Sequence, residues 1–302
     1  MNTKIPFAIS DLKKVDPEGR FLNRELPDEF QLERFIDRSQ RLNKNLKGHT
    51  ALVVTYNFSL KYLEEKRDAC RLIITNNPVE KYQETIPQFI VKDIQQFMIS
   101  LATYVRRQNK NKIIGVTGSA GKSTTTKMLW RLLKDYQTDS MVNIGNHNDR
   151  HSVPYYLANT LRNPEFLTLE FAGDSLLKHK RFGNLTELAK LDIGIVTTIG
   201  GAHLSKYKDD LNVAEIKSAL VEGIKIGGTL IINQDISEDQ KEIFIRKAKD
   251  RSITIFTYSS TQRNADAYLI NREWNGDYSR VTACIGERKV NYEVLKAPSK
   301  IR

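Results

Sequence analysis

Short apolar runs alternate with helix-length amphipathic stretches through most of the 302-residue chain. That alternation predicts an α/β fold with a mostly parallel sheet. In the first third, strands are predicted at Ala51–Tyr56, Arg71–Thr75 and Gln88–Val91, with a polar helix near Leu60–Asp68. A longer helix, Ile94–Arg107, runs into the polar stretch Arg106–Lys112. This stretch marks the expected boundary between a small N-terminal α/β domain, residues 1–110, and a second domain, residues 111–302. The second domain opens with the strand Lys112–Thr117 and the helix Lys122–Lys134. Further strands are predicted at Phe166–Phe171, Ile193–Thr198, Thr229–Asn233 and Ser252–Thr257, with helices near 153–162, 213–224 and 237–249. After Tyr258 the pattern becomes alternating over Ala265–Asn271, Tyr278–Ile285 and Lys289–Leu295, which predicts a small antiparallel extension.

Composition narrows the class. A 40% hydrophobic content supports a real core, and 16 Gly with 8 Pro are too few for a collagen-like or low-complexity chain. The longest apolar run, Phe97–Val105, is broken by Ser100 and Thr103 and is far shorter than the roughly 20 residues of a membrane span. The opening MNTKIPFAISDLKK has no signal-peptide pattern. Cys70 and Cys284 lie far apart, without metal-type spacing, which suits free thiols in a reducing cytoplasm. The net charge of +11 is spread along the chain, with +5 in residues 1–110 and +6 in the rest. No basic stripe interleaved with aromatics appears, so no nucleic-acid partner is expected. A diffuse positive field does favour anionic small molecules such as nucleotides.

The most specific feature is Ile113-Ile-Gly-Val-Thr-Gly-Ser-Ala-Gly-Lys-Ser-Thr-Thr-Thr126. A buried strand runs into a glycine turn, and Lys122-Ser123 opens a helix. Glycines let consecutive N–H groups converge on phosphate oxygens, and the helix amino terminus adds partial positive charge. Thr117, Gly118, Ser119, Ala120, Gly121, Lys122, Ser123 and Thr124 are therefore expected around the phosphates of ATP. Lys122 reaches the β and γ phosphates in this pattern, and Ser123 ligates Mg²⁺. Val116 stands where the strict pattern has its first glycine.

This loop resembles that of the ATP-dependent Mur ligases, most closely the branch that adds D-alanyl-D-alanine to a UDP-muramoyl tripeptide. Four further segments are similar to that family: Asn146-His-Asn-Asp-Arg-His-Ser-Val-Pro154, Phe166-Leu-Thr-Leu-Glu-Phe171, Asp192-Ile-Gly-Ile-Val-Thr-Thr-Ile-Gly-Gly-Ala-His203, and Val213–Ile224 followed by Gly227–Asp235. The resemblance implies a P-loop NTPase-like central domain with ATP and Mg²⁺ as cofactors. It also implies an amide ligase that activates a substrate carboxylate as an acyl phosphate for attack by an amine. Glu170, at a strand end, is the implied metal ligand beside Ser123. His203 and Lys217 are the implied holders of a second metal, Lys217 as its carbamate, and with Lys122 they make the implied catalytic set. Asn148 is the implied orienter of substrate or phosphate.

The implied partners are an anionic carboxylate acceptor, of which a UDP-muramoyl peptide is one candidate, and an amine. Three departures leave those substrates open. Thr198 replaces the family's usual Asn, Glu170-Phe-Ala-Gly-Asp-Ser175 lacks its Glu-Met-Gly spacing, and the sequence has no counterpart of its C-terminal ligase domain. A chain that is a fragment of a longer protein is one expectation, and a separate polypeptide supplying that domain is another. An ATP-binding subunit that needs a partner for any chemistry is the alternative.

Overall fold

Two sheets organise the chain in a computed structural model that describes residues 4–38, 42, 48–55, 60–143, 147–179, 183–200 and 210–295. A short helix, α1 (Asp11–Val15), precedes the strands β1 (Arg20–Leu22), β2 (Arg34–Ile36), β3 (Thr50–Val53), β4 (Leu72–Thr75) and β5 (Gln88–Ile90). These strands form a sheet in the order β1-β5-β4-β3-β2, parallel except for β1. β3 and β4 read TALV and LIIT and are buried at every position. Apolar runs of that kind are what a parallel strand covered on both faces requires. The segment expected as a helix near Leu60–Asp68 instead forms a 3-10 stretch, Glu64–Ala69, broken at Lys66. Ala69 is its only buried side chain, so no apolar stripe stabilises a longer helix there.

Helix α2 (Ile94–Gln108) leads from the first sheet to the second. Asp93 starts it by accepting hydrogen bonds from the Gln95 and Gln96 amides at 2.8 and 3.0 Å, a cap worth about 1 kcal/mol. Phe97, Leu101 and Val105 lie on its buried face, within an apolar cluster that runs from Phe7 and Phe35 near the first sheet to Val153 and Leu157 in the second half of the chain. Arg106 is buried at the end of α2. Its guanidinium donates to the carbonyls of Ala189, Asn109 and Lys190 and to Asn111 Oδ1, so burial, which lowers its pKa, is offset by four acceptors.

The remaining elements are β6 (Lys112–Thr117), α3 (Lys122–Asp135), β7 (Ser140–Val142), α4 (Ser152–Ala158), β8 (Phe166–Glu170), α5 (Gly173–Leu176), α6 (Leu185–Ala189), β9 (Leu191–Val196), α7 (Asp210–Glu222), β10 (Ile224–Asn233), α8 (Glu238–Lys249), β11 (Thr254–Ser259), β12 (Ala267–Trp274), β13 (Tyr278–Ile285) and β14 (Arg288–Leu295). Their strands pair in the order β14-β13-β12-β11-β10-β9-β6-β8-β7. From β7 to β12 neighbours are parallel, and β12, β13 and β14 form the antiparallel extension. The chain leaves β6 toward β7 and β8 on one side and returns to β9 on the other. The carboxyl end of β6 is therefore a topological switch point, where open α/β sheets bind ligands.

One pair of glycines sets how close α7 comes to this point. Gly115 on β6 faces Gly194 on β9 in register. A Cβ at either position would lie 3.2 to 3.3 Å from the Leu220 side chain of α7, and 2.6 Å from Leu191 or Ile224. Without side chains there, α7 packs directly on the strands, and Lys217, one turn before Leu220, reaches the loop that follows β6.

Candidate nucleotide site

The turn after β6 depends on backbone that side chains oppose. Gly118 has φ +151° and Gly121, which caps α3, has φ +82°. A Cβ on Gly118 would overlap Thr197 Oγ1. The first amides of α3, like those at any helix amino terminus, have no partners inside the helix. Lys122 Nζ folds back on the loop and donates to the carbonyls of Gly118 at 2.8 Å and Ser119 at 3.4 Å. Ser123 and Thr124 are exposed in the first turn of α3. Thr117 is buried and its hydroxyl donates to Phe171 O at 3.1 Å, so that side chain joins β6 to the end of β8 and does not face the open turn.

Glu170, the last residue of β8, is 3% exposed. Ser123 Oγ donates to its Oε2 at 2.7 Å, and Asn148 Nδ2 donates to its Oε1 at 2.6 Å. Asn143 holds the Glu170 main chain in place, accepting from its amide at 2.8 Å and donating to its carbonyl at 3.2 Å. Loop, strand end and Asn148 thus meet at one point. No sequence signal marked Asn143, because its partner lies 27 residues away. Among the described residues no group of three or more His, Cys, Asp or Glu side chains converges to cage a metal. One carboxylate and one hydroxyl beside a phosphate site still suit Mg²⁺, which takes few protein ligands and completes its shell with phosphate oxygens and water.

Asp149 and His151 serve the local loop. Asp149 Oδ1 accepts from the amides of His151 and Ser152 at 3.1 and 2.8 Å and so holds the turn that leads into α4. A narrow cleft between Asp37, Arg38 and Thr55 on one side and His147, Asp149 and His151 on the other opens beside this loop. His203 lies outside the described residues.

Lys217 is 8% exposed, and its Nζ donates to Gly118 O at 3.0 Å, the carbonyl that Lys122 also uses. Burial, and then the nearby Lys122 ammonium, push its pKa down to about 8. Below that pH the folded and unfolded chains both carry the proton, and the buried charge costs stability in full. Between about 8 and the ordinary 10.5 the folded chain releases the proton while the unfolded chain keeps it, so stability rises with pH by up to roughly 3 kcal/mol. Lys217→Met is expected to melt higher than wild type near neutral pH and to lose that rise. Identical pH slopes for the two proteins across this window would contradict it.

At the carboxyl ends of β10 and β11, Asp235 accepts hydrogen bonds from the hydroxyls of Ser259, Ser260 and Thr261 and from the Ser260 amide. Burial acts to raise the Asp235 pKa, but these bonds bring it down to about 2. The two strand ends are thereby joined by a charged, hydrogen-bonded clasp.

Comparison with known proteins fits this geometry. The family model for the Mur ligase middle domain matches residues 116–295, and the chain belongs to the Mur ligase family. A curated relative, the UDP-N-acetylmuramoyl-tripeptide–D-alanyl-D-alanine ligase of Synechocystis, is 31% identical over 163 residues, 54% of this chain and 35% of that protein. The ligase of the same name from Buchnera aphidicola subsp. Baizongia pistaciae is 25% identical over 222 residues, 71% of this chain and 47% of that protein. The chain thus spans about a quarter to a half of the curated relatives it matches. MurF from Acinetobacter baumannii shares the fold with a TM-score of 0.75 at 20% identity, covering 98% of this chain and 62% of that one. MurF ligase from Thermotoga maritima in complex with ADP aligns with a TM-score of 0.66 at 20% identity, covering 86% and 58%. Among the described residues no helix is long and apolar enough to cross a membrane.

Proposed function

We propose that the chain carries the ATP site of a carboxylate–amine ligase, with residues 111–302 binding the nucleotide and residues 1–110 binding the carboxylate acceptor. The observation that carries this reading is the meeting of Ser123 with Glu170 at the phosphate loop, 2.7 Å apart at the switch point of the sheet. The amides at the start of α3 receive the phosphates. Lys122 moves its ammonium from the loop carbonyls to the β and γ phosphate oxygens. Glu170 and Ser123 would hold Mg²⁺, which neutralises phosphate charge when bound. The acceptor enters through the cleft beside Asn148, and Asn148 orients its carboxylate. A carboxylate oxygen attacks the γ phosphorus in line, the bond to ADP breaks, and an acyl phosphate forms. The amine then attacks the acyl carbon, and phosphate leaves with the former carboxylate oxygen.

Lys217 fits the carbamate role in one respect: only a neutral amine adds carbon dioxide, and a pKa near 8 leaves a usable neutral fraction. The curated relatives suggest a UDP-N-acetylmuramoyl tripeptide as acceptor and D-alanyl-D-alanine as amine, and the +11 charge suits so anionic an acceptor. The test is phosphate release from ATP with and without that acceptor. The reading expects release only when ATP, Mg²⁺, the acceptor and the amine are all present. Equal release without the acceptor would count against it.

A further inference from the structure

Glycines flank the apex of the phosphate loop on both sides, Gly118 at φ +151° and Gly121 at φ +82°. Glycine restricts backbone rotation least, so the chain itself does not fix the two peptides between them. The end of β9 fixes them from outside. Thr198 O accepts from the Ser119 amide at 2.7 Å, and Thr198 Oγ1 both accepts from the Ala120 amide at 2.9 Å and donates to the Ala120 carbonyl at 3.2 Å. Thr197 Oγ1 donates to the same carbonyl at 2.5 Å, and the Gly200 amide donates to Ser119 Oγ at 3.1 Å. Behind this segment the half-buried Tyr258 donates from its hydroxyl to Thr197 O at 3.0 Å, reaching across from β11.

These bonds divide the loop amides into two sets. Those of Ser119 and Ala120 are already paired with Thr198. Those from Gly121 to Thr124 open the helix and remain for an anion. We propose that Thr198 is a positioning residue for the nucleotide. Its hydroxyl satisfies both polar groups of Ala120, holds the apex in one orientation, and so aims the helix-end amides at the phosphates. One hydroxyl here makes the donor and acceptor contacts for which an Asn would use two atoms. The proposal rests on the nucleotide reading above.

The test is equilibrium binding of a fluorescent ADP analogue, with Mg²⁺, to the full chain. Thr198→Val removes the hydroxyl at constant shape and is expected to bind about tenfold more weakly. Thr198→Ser keeps the hydroxyl and is expected to bind within about twofold of wild type, with melting points of the two variants alike. Tyr258→Phe loosens Thr197 without touching the loop and is expected to weaken binding about threefold, which carries the test if Thr198→Val does not fold. Wild-type affinity in Thr198→Val, or equal weakening in Thr198→Ser, would overturn the positioning role and leave the nucleotide reading standing. A wild-type chain that binds no nucleotide would overturn the nucleotide reading itself.

Discussion

Lys122→Ala is expected to lower acceptor-dependent phosphate release about a hundredfold or more while the chain stays folded. The charge that meets the γ phosphate is lost, and removing one such electrostatic contact to a reacting group typically costs two to three powers of ten in rate. Folding is spared because, among the described residues, the ammonium makes hydrogen bonds only to the Gly118 and Ser119 carbonyls, at a loop open to water. Lys217 still reaches the Gly118 carbonyl at 3.0 Å. Lys122→Arg is expected to recover little, since a planar guanidinium does not replace a compact ammonium in a tight loop. Steady-state phosphate release and a thermal melt on the same preparation check both halves, and wild-type turnover in Lys122→Ala would remove the loop from the mechanism.

Glu170→Gln is expected to abolish Mg²⁺-dependent turnover, by about a hundredfold or more, with a melting point no lower than wild type. The amide keeps the shape of the carboxylate, accepts from Ser123 with its oxygen and donates with its NH2 to Asn148 once that side chain turns its own oxygen inward, but it gives up the negative charge that a hard cation requires. Stability moves the other way because Glu170 is 3% exposed and is bonded only to neutral groups, Ser123 and Asn148, among the described residues. A buried carboxylate without a cation is costly, and neutralising it relieves that cost. Titrating Mg²⁺ against phosphate release separates the effects. A variant that needs no more Mg²⁺ than wild type would show that Glu170 serves the fold alone.

Much of this site is legible in the sequence because its chemistry is local. Strand, glycine turn, Lys122 and helix are consecutive, so the order of residues nearly dictates the loop, and Lys112–Thr117 forms the strand the apolar run predicts. Glu170 was legible as a charged residue ending the buried run Phe166–Glu170. Contacts that join distant segments were not. The approach of Lys217 to Gly118 spans 99 residues and depends on the register that sets Gly115 against Gly194. The bond from Ala120 to Thr198 spans 78, and in the sequence Thr198 stood out only as a departure from the family pattern. The three-residue strands β1, β2 and β7 are too short to show a period. The helix expected from 153 to 162 stops at Ala158 and gives way to a 3-10 turn, Thr160–Arg162, that ends with Asn163 in the left-handed region.

The central claim is that a substrate carboxylate attacks ATP at this loop. Oxygen transfer tests it most directly. With an acceptor whose carboxylate carries ¹⁸O in both positions, amide formation through an acyl phosphate leaves one labelled oxygen in each phosphate released. Unlabelled phosphate from the same reaction would mean that water attacks the nucleotide, and would contradict the account.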